Sequence, residues 1–162
     1  MTGWKKLSRA EPEANKRSTV LASELFRATL DFLHSELQGA FETEIFVDSD
    51  GYITASPDWL AQYIKLLFNT VYGEGVVQID FEIKNKSVEI KATWQSRDEL
   101  DGRQISELER AADRAGFAFD IKYSDGFATA RIKAESSELM MLQVYALSYS
   151  EIYEAFKRAF FL

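Results

Sequence analysis

The order of apolar patterns along the chain predicts an α+β fold: a two-layer sandwich whose mixed, mostly antiparallel sheet carries helices on one face, with an extra C-terminal strand and helix. Three observations lead there. Residues 57–72 repeat apolar side chains at helical spacing behind a Ser56-Pro57 start. Residues 77–94 alternate apolar and polar side chains through Val77, Ile79, Phe81 and Ile83, turn at residues 84–87, and alternate back through Val88, Ile90, Ala92 and Trp94. Between residues 104 and 134 a helical pattern is followed by a second alternating pair.

Taken in order, residues 1–17 are charged and weakly patterned, with Pro12 interrupting any long helix, and are expected to form a flexible lead-in to a single domain over residues 18–162. Ser18 or Thr19 is expected to cap a helix reaching about residue 38, with Leu21, Leu25, Ala28 and Phe32 on one stripe and Gly39 as its stop. Residues 44–47 and 52–55 read as short strands around the turn Asp48-Ser49-Asp50-Gly51. The helix from Ser56 should end at Gly73 or Gly75. Its apolar surface leaves Asp58, Gln62, Lys65 and Asn69 as a narrow strip expected to face water. After the hairpin, residues 104–115 form a helix with Ile105, Leu108, Ala112 and Ala115 inward, ended by Gly116. Residues 117–123 and 127–134 flank the turn Ser124-Asp125-Gly126, residues 140–147 read as one more strand, and residues 149–162 as a terminal helix.

Composition excludes several functions. A chain that is 46% apolar, with twelve Phe, seven Tyr and three Trp, can bury a core. Its net charge of −7 argues against binding a nucleic-acid backbone. Without cysteine there is neither disulfide nor thiolate chemistry, and a single histidine makes a structural zinc site improbable. No apolar run approaches the ~20 residues that span a bilayer, so the expected setting is the cytoplasm, without membrane insertion.

Certain phrases carry a family likeness. Pro57-Asp58-Trp59-Leu60-Ala61-Gln62 resembles the start of the asparagine-bearing helix in the ATP-binding domain of sensor histidine kinases, of the GHKL ATPase superfamily. VVQIDFEIKNKSVEIKATW resembles the hairpin that follows it, and Leu7-Ser8-Arg9-Ala10-Glu11 resembles the tail of the dimerisation helix that precedes such domains. The likeness in layout runs over residues 20–134, about two-thirds of the chain. It implies ATP and magnesium as cofactors, held by two asparagines four residues apart and by glycine-rich boxes, because amide oxygens ligate hard cations and glycines let backbone approach phosphate.

The residues present depart from that pattern. With residues 57–62 setting the register, the asparagine positions fall on Leu66 and Thr70, and Asn69 lies one residue away. Thr93-Trp94-Gln95-Ser96 stands where Asp-x-Gly-x-Gly is implied; Asp101-Gly102 is a candidate relic of the adenine site or a turn before a helix. Residues 95–103, with one glycine, are too short for an ATP lid, and Trp94 and Tyr63 read as core rather than adenine-stacking. His34, in Leu33-His34-Ser35-Glu36-Leu37, resembles the phosphoacceptor phrase and is either that acceptor or an exposed helix residue. Asp80, Glu82 and Glu89 alternate on polar strand faces and name no catalytic pair. Phe156, Phe160 and Phe161 either dock on the chain's own core or bind a partner.

The expected function is a noncatalytic, degenerate ATPase-like domain that acts as an interaction or regulatory module in two-component or phosphorelay signalling, with no cofactor. Its expected partner is a signalling protein such as a response regulator or kinase, and a homodimer is compatible with the sequence. The alternatives are a histidine phosphotransferase using His34 and a working ATP-dependent kinase domain using Asn69.

Overall fold

The computed structural model describes residues 6–13, 16–72, 74–136 and 145–162. A five-stranded sheet runs in the order β2 (Phe41–Val47), β4 (Val77–Lys84), β5 (Ser87–Gln95), β7 (Phe127–Glu135), β6 (Ala118–Ser124). β2 is parallel to β4, and the other pairings are antiparallel. Two more strands, β1 (Ser18–Leu21) and β3 (Tyr52–Ala55), form a separate antiparallel ladder. The helices are α1 (Ala22–Glu36), α2 (Pro57–Thr70), α3 (Gly102–Ala115) and α4 (Tyr149–Phe160).

Alternation fixes the sheet's buried face. Ile79, Phe81 and Ile83 of β4, Ile90, Ala92 and Trp94 of β5, and Ala128, Ala130 and Ile132 of β7 are all buried beneath the helices. The opposite face carries charge: Arg131 lies 3.2 Å from Asp120 and 4.0 Å from Glu89, and Lys91 lies 3.9 Å from Asp80. These acidic residues thus belong to a solvated strand face. The β4–β5 turn places Asn85 and Lys86 at φ 52° and 64°, as a two-residue hairpin loop requires.

Several expectations are corrected. Residues 18–21 pair with residues 52–55 as strands, so the first helix begins at Ala22 rather than at Ser18 or Thr19. Val20 and Ile53 are buried by that ladder, a partner that lies 33 residues away and leaves no local pattern. The strands on either side of Asp48-Ser49-Asp50-Gly51 do not form a hairpin: β2 joins β4, and β3 joins β1. Gly51 N–H and the backbone N–H and hydroxyl of Ser23 instead bond to the Asp50 carboxylate, tying the loop to the start of α1. α2 ends at Thr70, before Gly75 (φ 97°), and Gly73 lies outside the described residues. Of the strand expected over residues 140–147, residues 140–144 lie outside the described residues, and Leu147 forms a single parallel bridge to Val20.

The terminal helix packs on α1 and α2. Phe32 of α1 is fully buried, with its ring 5.6 Å from Phe156 and 5.1 Å from Phe160. Phe156 and Phe160 therefore belong to the core, while Phe161 stays 60% exposed. α4 starts on a capping box in which Ser148 and Glu151 satisfy each other's backbone N–H. No described helix is long and apolar enough to cross a membrane.

Candidate functional site

α2 positions the site. The Ser56 hydroxyl accepts from Trp59 N–H at 3.3 Å and Pro57 takes the first turn, so the helix starts where the sequence requires. From there Leu60, Ile64 and Leu67 enter the core. The polar strip expected in water is buried instead: Asp58 is 9% exposed, Gln62 1% and Lys65 0%.

What covers it is backbone. Residues 6–12 are non-helical and lie along α2 and α3, so the stretch likened to the tail of a dimerisation helix is not helical. Asn69 reads Leu7 from both sides: Leu7 N–H donates to Oδ1 at 2.6 Å, and Nδ2 donates to Leu7 C=O at 2.9 Å. Gln62 Nε2 donates to Arg9 C=O at 3.4 Å. Lys65 Nζ donates to Ala10 C=O at 3.1 Å and to Ala159 C=O, in the last turn of α4, at 2.9 Å. An ammonium among carbonyls loses more hydration than it recovers, and burial lowers the Lys65 pKa from its ordinary value.

α3 supplies the other wall. The Asp101 carboxylate caps it by accepting from Gln104 N–H at 2.8 Å, while the Gln104 side chain accepts from Asp101 N–H at 3.1 Å. Asp101 is thereby engaged as a helix cap, and Gly102, exposed, is the first helical residue. One turn on, Glu107 pairs with Arg9 and with Arg103 at 3.1 Å, and Arg110 pairs with Glu11. The hydrogen bond from Arg110 holds the Glu11 carboxyl below its usual range. Arg110 and Arg114 also lie over the Trp59 ring, 5.8 Å and 4.9 Å from its centroid.

Two spaces remain in this groove. One of about 280 Å³ is bounded by Arg9, Glu11, Trp59, Gln62, Glu107 and Arg110. The other, about 70 Å³, is bounded by Leu66, Asn69, Thr70, Gln104 and Glu107. Leu66 and Thr70, the positions implied for the asparagine pair, therefore do open on the groove together with Asn69. Leu66 offers hydrocarbon, the Thr70 hydroxyl donates to Leu66 C=O at 2.8 Å, and both polar ends of the Asn69 amide are taken by Leu7. The larger space lies near the lower end of the roughly 300–1,000 Å³ of small-molecule sites.

The remaining candidates lie elsewhere. His34, in the last turn of α1, is exposed, and its ring centroid lies 4.9 Å from that of Phe41. Tyr63 and Trp94 are buried, and burial pushes the Tyr63 phenol well above its ordinary pKa. A further cleft of about 470 Å³ lies at the other end of α2, where Arg158 of α4 bonds Asp58 at 3.1 Å.

The five-stranded sheet thus lies under helices that leave a groove between α2 and α3. No family model matches the sequence, and no match appears among curated proteins. Solved structures do match. The histidine kinase domain of the E. coli osmosensor EnvZ superposes with TM-score 0.56 at 9% identity, covering 91% of this chain and 100% of that one. The ATP binding domain of PrrB from Mycobacterium tuberculosis gives TM-score 0.53 at 17% identity, over 76% of this chain and 99% of that one. The catalytic domain of histidine kinase ThkA gives 0.52 at 12%, over 76% and 99%. The chain has the fold of histidine-kinase ATP-binding domains.

Proposed function

We propose that this chain is a noncatalytic relative of the histidine-kinase ATPase domain that binds a protein partner in two-component or phosphorelay signalling, in the cytoplasm. One observation carries the reading: the groove between α2 and α3 is lined by Leu66 and Thr70 at the implied ligand positions and is held by the main chain of residues 7–10. A fold emptied of its cofactor chemistry retains its surfaces, and surfaces bind proteins. The partner is a response regulator or a kinase. Titrating the chain with isotope-labelled receiver domains tests this: saturable shifts on one receiver support the reading, and no binding to any receiver or kinase removes the signalling assignment.

A second reading rests on His34, whose exposure on α1 leaves its imidazole open to an incoming phosphoryl group. Under it, phosphoryl transfer from a receiver domain to this chain is lost on His34→Ala. Receiver binding without transfer supports the first reading over the second.

A further inference from the structure

The contacts of residues 7–11 divide in the manner of a peptide in a recognition groove. α2 reads main chain: Asn69 takes both polar groups of Leu7, Gln62 takes Arg9 C=O, and Lys65 takes Ala10 C=O. α3 reads side chains: Glu107 takes Arg9, and Arg110 takes Glu11. Leu7, Arg9 and Glu11 are alternate residues whose side chains meet the core and α3, while Ser8 and Ala10 are exposed. Leu7 packs on the core, and the two ion pairs run in opposite polarity, which fixes the direction of the segment.

The resident segment fits this groove incompletely. Gln62, 1% exposed, directs an Oε1 acceptor that finds no donor among the described residues. Beside it lies the space of about 280 Å³, walled by Arg9, Glu11, Glu107 and Arg110. Both ion pairs sit at the rim, with Arg9 57% and Arg110 48% exposed, and exposed pairs hold weakly. A segment that offered an N–H to Gln62 Oε1 and filled the adjoining space would make contacts that the chain's own described residues leave unmade. Main-chain reading tolerates such an exchange, because every peptide carries the same N–H and C=O groups.

We propose that the α2–α3 groove is a recognition site for a non-helical segment of a partner protein, of pattern aliphatic-x-Arg-x-acidic, and that residues 7–11 hold the site in cis until that segment displaces them. This deepens the protein-binding reading above and rests on it for the partner's setting, while peptide binding itself is measured separately. The probe is a fluorescent peptide of residues 6–13, KLSRAEPE, titrated by anisotropy into three full-length chains: wild type, Arg9→Ala, and Arg9→Ala/Glu11→Ala. Loosening the cis segment is expected to tighten binding of the peptide several-fold in the double variant, with the single variant between. Adding Glu107→Arg/Arg110→Glu to the released chain should weaken KLSRAEPE at least ~tenfold and restore binding to the charge-exchanged peptide KLSEARPE. Absence of saturable binding to a released chain that still melts cooperatively overturns the proposal, as does binding indifferent to the charge exchange. Peptide binding in a chain that captures no receiver or kinase upholds the groove and rejects the signalling reading instead.

Discussion

Asn69→Ala isolates the paired hydrogen bonds that hold Leu7. The substitution removes the acceptor of Leu7 N–H at 2.6 Å and the donor to Leu7 C=O at 2.9 Å. Two neutral hydrogen bonds contribute about 0.5–1.5 kcal/mol each, so the loss is about 1–3 kcal/mol. That range corresponds to a roughly 5- to 150-fold rise in the fraction of molecules whose segment is undocked. The adjoining space of about 70 Å³ admits water to the freed Leu7 groups, which places the expected value in the lower half of the range. Native-state hydrogen exchange at the Leu7 amide reads this directly: its protection should fall about tenfold, while amides of β4 and β5 keep theirs. Asn69→Asp retains an acceptor and loses the donor, so it should lie between wild type and Asn69→Ala. Unchanged Leu7 protection in Asn69→Ala would refute the role assigned to Asn69, and so would a uniform loss across the sheet, since Asn69 would then be supporting the core.

Three further outcomes follow from the packing and the buried charge. Phe32→Ala empties the ring cluster that joins α1 to α4 and should cost about 3–5 kcal/mol in denaturant unfolding. Gly116→Ala meets two obstacles, a φ of 101° and a new Cβ 2.6 Å from Thr54 C=O, and should cost about 2–4 kcal/mol by the same measurement. Lys65 keeps its proton to about pH 10.4 in the unfolded chain but has a lowered pKa when folded, so between those two values the unfolded chain binds more protons. Wild-type stability should therefore gain with rising pH relative to Lys65→Met in that window and run parallel to it at lower pH; a constant difference across the window would contradict this.

Legibility in the sequence followed the range of the interactions. The β4–β5 hairpin was readable because alternation and its turn are local, and α2 because Ser56, Pro57 and its apolar stripe are local. The β1–β3 ladder was not, since residues 18–21 gain strand structure only from residues 52–55, and a cap-like Ser18-Thr19 in front of a helical stripe reads as helix. The site divided in the same way. Register alone placed Leu66 and Thr70 at the implied ligand positions, and both line the groove. Gln62, Lys65 and Asn69 were read as a water-facing strip because periodicity reports polarity and not what covers it; their cover is the carbonyls of residues 7, 9, 10 and 159. The spacing of 62, 65 and 69 along one line of an otherwise apolar helix was the available signal. Arg9, Glu11, Glu107 and Arg110 gave none, being charged residues among many until two distant segments bring them together.

Under the proposed function a protein partner has taken the place of the nucleotide. Melting curves with and without saturating ATP and magnesium test it most directly, because any ligand of the folded state raises the midpoint. Superimposable curves are expected. A rise of several degrees, abolished by Asn69→Ala, would show that the α2–α3 groove still takes the nucleotide and would contradict it.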